Sequence, residues 1–237
     1  MKNNTRRFAA IVVVGLALMT PIRMALADSE NKAFTESESF KQLSAEWWQW
    51  ALSIPTSVNP LLDTNGGKGV VGQRGSVWFL AGVFGGGAAT RTCSVPEGKA
   101  VFFPVINSLQ FNSPGVCGLP RQSVSELRAL AAPLIDGATA LSVTVDGIAI
   151  KNLRRVKSEV FEVALPAENV FGAPCGPPST ELVPAGIYSP AVDDGIYVRL
   201  DPLDIGGHAL HLHAESPKGV VQSDVTYNLT VVPVLLK

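Results

Sequence analysis

All three histidines of the chain fall within six positions, His208, His211 and His213, with Glu215 close behind. Extended backbone sends alternate side chains to opposite faces, so His211, His213 and Glu215 share one face and His208 lies on the other. Two imidazoles about 6.5–7 Å apart along a strand, joined by a carboxylate, form a partial ligand set for zinc, manganese or iron. A transition metal held there would need a further ligand from elsewhere in the fold. The competing reading is an ordinary exposed strand face. Leu210 and Leu212 would then supply the buried side, leaving His211 and His213 in solvent, where histidines need no function.

The other residues able to do chemistry do not assemble into a catalytic set. No G-x-S-x-G elbow occurs, and Cys175 lies among Pro and Gly without basic neighbours to lower its pKa. Glu181, Asp193 and Asp194 are carboxylates with no spacing that pairs them. Asp193-Asp194-Gly195 and Asp204–Gly207 read as turns first, and only second as calcium ligands. The glycine-rich stretch 63–75 contains Lys68 but not G-x-x-x-x-G-K-[ST], and Gly85-Gly86-Gly87 lacks the strand-to-helix setting of a dinucleotide site. In Trp47-Trp48-Gln49-Trp50, the spacing of Phe40, Leu43, Trp47, Trp50 and Ile54 makes one apolar stripe. Trp47 and Trp50 therefore pack a helix onto the core, and Trp48, off the stripe, is the candidate for binding work such as stacking on a sugar ring.

The elements around these residues point to a mainly β protein. Two apolar runs, Val77–Val83 and Ala100–Ile106, flank a connection holding Gly85-Gly86-Gly87 and Cys93, and both have strand length. Leu141–Ile150 alternates around Asp146-Gly147 as a hairpin. Val156–Leu165, Gly195–Leu203, His208–Ala214 and Val225–Val234 read as further strands, and Asn169–Pro190 as a long Pro- and Gly-rich loop. Helices are expected over Thr35–Leu52, starting at Thr35 or Ser39, and over Ser123–Ile135, where Ser123 and Glu126 form a capping box. The expected architecture is an antiparallel β-sandwich, jelly-roll or Ig-like, with two packed helices and long loops.

Residues 1–27 read as a cleaved signal peptide, leaving 28–237 as a single β-rich domain. Lys2, Arg6 and Arg7 precede the apolar run Phe8–Met19, and Ala25-Leu26-Ala27 supplies a cleavage site. Asp28 rather than Cys follows, so no lipid anchor is expected. The expected location is periplasmic or secreted, with no transmembrane segment. Loss of Lys2, Arg6, Arg7 and Arg23 leaves 15 Lys and Arg of the original 19 against 20 Asp and Glu, a formal charge of −5. That balance argues against nucleic acid as a partner and leaves an envelope component or a carbohydrate. In an oxidising compartment a disulfide is expected, and Cys93–Cys117 is favoured because it joins the end of the Gly-rich connection to the segment after the second strand, in a loop of about 23 residues, although all three pairings stay open.

Several segments resemble a family of exported bacterial proteins to which no activity is assigned. They are 43–50 (LSAEWWQW), Gly72-Gln73, 77–82 (VWFLAG), 98–107 (GKAVFFPVIN), 188–195 (YSPAVDDG) and 224–227 (DVTY), which together span nearly the whole mature chain. The resemblance implies export and carries no catalytic residue. It also implies a cysteine just before the Gly-Gln step, where this chain has Gly69, Val70 and Val71, so that Cys175 would be the remaining half of a lost disulfide. The sequence thus supports a non-enzymatic binding or envelope-associated module. The alternatives are a metal-binding protein or metal-dependent enzyme using His211, His213 and Glu215, and a carbohydrate-binding module using Trp48.

Export gives the first testable consequence. N-terminal sequencing of the protein from its native host should find Asp28, whereas a chain beginning at Met1 would remove the compartment argument.

Overall fold

The Trp-rich stripe forms helix α1 over residues 40–52 in the computed structural model, which describes residues 40–176, 178–216 and 220–234. The expected start of α1 at Thr35 or Ser39 and the signal peptide at 1–27 lie outside the described residues. Pro55 cannot continue the helix, and buried Asn59 closes it. The Asn59 amide donates to the carbonyls of Ala51 (2.9 Å) and Ile54 (2.7 Å), while its Oδ1 accepts the Leu61 N–H at 2.9 Å. Helix-end carbonyls that would otherwise be orphaned are satisfied by one side chain.

The described residues then contain ten strands and a second helix. These are β1 (Val77–Phe79), β2 (Ala88–Pro96), β3 (Ala100–Phe111), α2 (Val124–Asp136), β4 (Thr139–Val145), β5 (Ile148–Ala149), β6 (Arg154–Lys157), β7 (Phe161–Leu165), β8 (Gly186–Leu200), β9 (Gly206–Ser216) and β10 (Val220–Val232). One sheet has the order β1-β3-β8-β6, with β7 also on β8, and the other has β2-β10-β9-β4-β5. Both are mixed, which corrects the purely antiparallel expectation. β1 runs parallel to β3, and β2 runs parallel to β10. Parallel neighbours need a crossover, and here the intervening chain supplies it: β2 lies between β1 and β3 in sequence but belongs to the other sheet.

β3 and β8 carry the two main layers of apolar packing. On one face, Phe102 and Tyr197 meet Phe40, Trp47, Trp48 and Trp50 of α1. On the other, Val101, Phe103, Ile196 and Val198 meet Leu210, Leu212, Val225 and Leu229 of the second sheet. A strand covered on both sides must be apolar on both, which is why neither VFFPVI nor its partner alternates. α2 forms as expected, with the Ser123–Glu126 capping box in place, and packs Leu127, Ala131 and Ile135 inward.

Several strand bounds differ from expectation. Val77–Val83 contributes only three residues of strand, and Val156–Leu165 is two strands rather than one. The connection carrying Cys93 contains the nine-residue β2. β8 begins at Gly186, so Asp193-Asp194-Gly195 lies mid-strand instead of in a turn.

The disulfide is also corrected: Cys117 pairs with Cys175, not with Cys93. β3 runs to Phe111, five residues beyond its expected end, and its twelve residues span about 40 Å. Cys117 is thereby carried to the far end of the first sheet, while Cys93 faces inward from β2 in the second. Cys93 is the free, buried thiol, and burial pushes its pKa up to about 11. Cys93, not Cys175, is thus the unpaired cysteine.

A Cβ placed on Gly69 would lie 3.5 Å from the Cys93 Cβ and 3.7 Å from its Sγ, within reach of the roughly 3.5–4.5 Å that a disulfide requires. In the variant Gly69→Cys the introduced thiol should oxidise with Cys93 to a second bridge without disturbing Cys117–Cys175. Thermal melting should then rise by several degrees under oxidising conditions, reflecting about 3 kcal/mol of loop closure. Two free thiols in the oxidised, unfolded variant would contradict this packing.

Candidate functional site

Asp193 is fully buried in the middle of β8, facing α1. It accepts the Trp48 indole N–H on Oδ1 and the Tyr197 hydroxyl on Oδ2, both at 2.8 Å, and Ser158 Oγ accepts its backbone N–H. Tyr197 in turn accepts from Asn107 Nδ2 at 3.1 Å and stacks on Phe102. Gly195 permits this arrangement: a Cβ there would sit 2.6 Å from the Tyr197 ring and 2.8 Å from the Asn107 Cβ. Burial pushes the Asp193 carboxyl up to about 8, against the opposing effect of hydrogen bonds from Trp48, Tyr197 and Ser44, and neighbouring Asp194 raises it further. Asp194 points the other way along the strand and takes a bidentate bond from Arg155, at 2.9 and 2.8 Å, which also reaches Asp136 at the end of α2. Burial thus biases the Asp193 carboxyl toward its protonated form.

Trp48 and Asn107 carry this network to the wall of a cavity of about 240 Å³. Trp47 and Trp48 of α1 line one side, and Pro104 to Asn107 of β3 line another. The 82–86 loop, with Leu61 and Leu134, contributes apolar and glycine backbone surface, and Gln222 and Ser223 of β10 complete the lining. Both strands break register where they meet the cavity. β3 shifts between Pro104 and Ile106, and β10 shifts between Val221 and Ser223. An extra residue reverses the facing of everything after it. In β3 the shift puts Ile106 between the sheets and turns Asn107 toward Tyr197. In β10 it leaves Ser223 facing inward, with its hydroxyl buried and without a hydrogen-bond partner among the described residues.

The loop wall is held from behind by Arg91, whose guanidinium is buried. It donates to the carbonyls of Asp63 (2.8 Å), Ala81 (2.6 Å) and Gly82 (3.1 Å), and to the Tyr227 hydroxyl at 2.8 Å. A buried cation is tolerated only when its donors are met, and backbone carbonyls meet them here. Gly85 and Gly86 turn the loop at φ 80° and 90°, values that side chains resist.

The residues singled out from sequence are placed as follows. Trp48 is not on the surface; it is 7% exposed, its indole bonded to Asp193 and its ring on the cavity wall. His211, His213 and Glu215 do share the outward face of β9, with His208 on the opposite parity. Across the ladder they meet Asp224, which the sequence reading did not include. Its Oδ1 lies 2.7 Å from His211 Nε2 and 3.8 Å from His213 Nδ1. Glu215 lies 3.4 Å from His213 Nε2, and the two rings stack at 6.5 Å. Among the described residues, the ligand atoms that gather in threes within 4.8 Å belong to Cys117, Cys175 and Glu181, and those sulfurs are joined to each other. His208 instead bonds Asp146 (2.7 Å) and the Asp204 carbonyl (2.8 Å), which pins the β4–β5 turn to β9. Asn107 and Ser223 were missed, and the sequence reading made Asp193 a turn residue. The available signal was an Asp-Asp-Gly set between apolar residues, a poor composition for a turn that should be exposed.

A second, more open groove of about 680 Å³ lies beside Glu46, Gln49, Trp50, Arg74 and Phe79. Gln49 there is bonded to the Glu162 carbonyl and Glu46 to Gln42. No family model matches the chain, and no curated protein or solved structure is significantly similar to it.

The protonation of Asp193 has a testable sign. Its folded pKa is raised above the unfolded value of about 3.9, so its contribution is fully present below about pH 4 and is lost as pH rises through 8. His208, also raised, acts in the same direction above its ordinary value, so the comparison must be with a variant. Asp193→Asn keeps a neutral group that accepts from Trp48 and donates to Tyr197. Between pH 5 and 8 the wild type should lose stability relative to Asp193→Asn, with a slope approaching about 1.4 kcal/mol per pH unit. Parallel stability curves for the two proteins would mean that Asp193 is ionised throughout.

Proposed function

We propose that the chain is an exported, non-enzymatic binding module of sandwich type that holds a small molecule in the cavity between α1 and the β3 and β10 register breaks. The observation that carries this reading is their convergence. Two strands of different sheets each depart from regular pairing at the same place, and the result encloses a buried hydroxyl with no partner among the described residues. Register breaks cost ladder hydrogen bonds and gather where a side chain must be re-aimed. An unmet buried hydroxyl likewise costs stability unless a ligand meets it. The cavity is concave, with apolar walls and a few convergent polar groups, as small-molecule sites are.

Binding is favoured over catalysis by the composition of the walls. None of the lining residues is ionisable, so acid–base chemistry would have no group to use at the surface of the cavity. Asp193 lies behind Trp48 and Tyr197, fully enclosed and away from the cavity lining. The three histidines lie on β9, with His211 and His213 on its outward face. The Cys117–Cys175 disulfide and the absence of a membrane-crossing helix among the described residues are compatible with a periplasmic or secreted location.

Gly82 offers a clean test, because a Cβ there meets nothing within 4 Å and its backbone is not in the left-handed region. Gly82→Phe should fill the cavity and leave folding intact. In a ligand-observed NMR screen of small neutral compounds, hits on the wild type should disappear in Gly82→Phe. Hits that persist in the filled variant would place binding elsewhere and overturn the proposal.

A further inference from the structure

We infer that the cavity recognises an uncharged, hydroxyl-bearing ring of monosaccharide size, a neutral pyranose; this rests on the reading of the cavity as the binding site. The first argument is charge. No lining side chain is ionisable, and a ligand charge moved into such a pocket would lose hydration with no opposite charge to replace it. Uronic acids, phosphorylated sugars and amino sugars are disfavoured on that ground.

The second argument is hydrogen-bond polarity. Asn107 gives its amide N–H to Tyr197, and Gln222 gives its own to Ser216 Oγ at 3.3 Å. Each therefore keeps a carbonyl oxygen, an acceptor, and a second amide N–H, a donor. The Ser223 hydroxyl, unpartnered among the described residues and 5% exposed, can both donate and accept. A matching ligand must carry both donors and acceptors at short spacing, which is what adjacent ring hydroxyls provide. An apolar fragment would leave Ser223 unmet, and a carboxylate or phosphate would bring a charge that no lining cation balances.

The third argument is shape. Trp47, Trp48 and Phe84 contribute aromatic surface, and aromatic surface suits the C–H face of a pyranose. The volume of about 240 Å³ equals that of about eight liquid waters, enough for one six-membered ring with its hydroxyls. A free sugar and the end residue of a glycan share this chemistry.

Isothermal titration of the mature protein separates the possibilities. The probes are glucose, galactose and mannose, their methyl glycosides, glucuronate, glucosamine and phenol. At least one neutral hexose or methyl glycoside should bind, and glucuronate and glucosamine should bind at least about tenfold more weakly. Preference for the methyl glycoside would mark a glycan end as the source, and preference for the free hexose a soluble sugar. Ser223→Ala should weaken the neutral sugar by about tenfold while melting no lower than the wild type, because the hydroxyl it removes has no partner in the described fold. Phenol binding that is abolished by Gly82→Phe, with no sugar bound, would keep the cavity as a site and overturn the sugar assignment. Equal affinity for charged and neutral sugars, or an unchanged affinity in Ser223→Ala, would also overturn it. Binding of no probe would count against both readings.

Discussion

A single carboxyl group, buried without a cation of its own, fixes how the first helix meets the first sheet. Asp193 is enclosed, yet its oxygens are met by one donor from α1 and one from its own strand. Burial of an ionised carboxylate with only neutral donors is expensive, which pushes its pKa up and makes the group a specific polar joint in an apolar interface. Such a joint adds little net stability but penalises any other docking of the helix, because a shifted helix would strand Trp48 N–H and the carboxyl together. The other two tryptophans of α1 follow the same rule. Trp47 donates to the Leu80 carbonyl and Trp50 to that of Val71, both at 2.9 Å. Three indoles thus tie one helix to three separate segments, and the cavity is the space left between them.

Much of this fold was legible in the sequence where a local rule dominates. The α2 capping box, the Asp146-Gly147 hairpin and the alternation of β9 each depend on neighbours within a few residues. What failed depends on contacts made far along the chain. Asp193-Asp194-Gly195 has turn composition, but β8 is central in its sheet and the three residues are stabilised by Trp48, Arg155 and the absence of a Gly195 side chain. Nothing local records those partners. Cys93–Cys117 was favoured because it joins the end of the Gly-rich connection to the segment after the second strand, but β2 and the end of β3 lie in different sheets, and topology decides the pairing. The register breaks are invisible for the same reason: an extra residue in a strand is defined only against its partner.

The candidate site was half legible. Trp48 was singled out for binding because it lies off the apolar stripe of α1, and it does line the cavity, though from a buried position. The histidines drew notice by residue type, and the structure adds Asp224 to them from the next strand. Ser223 and Asn107, by contrast, are ordinary polar residues in ordinary strand segments. Only their facing after a register shift, and the unmet hydroxyl of one of them, gives them meaning.

The four tryptophans allow the central claim to be tested at the level of single residues. Trp47 and Trp48 line the cavity, Trp50 lines the separate open groove, and Trp78 belongs to the packing between the sheets. In a 15N–1H spectrum each indole N–H gives its own resonance, and titration with a neutral pyranose reports where it binds. The account predicts that the Trp47 and Trp48 signals move together and saturate while Trp50 and Trp78 stay in place. Movement of Trp50 alone would put the ligand in the open groove and contradict the assignment of the cavity as the binding site.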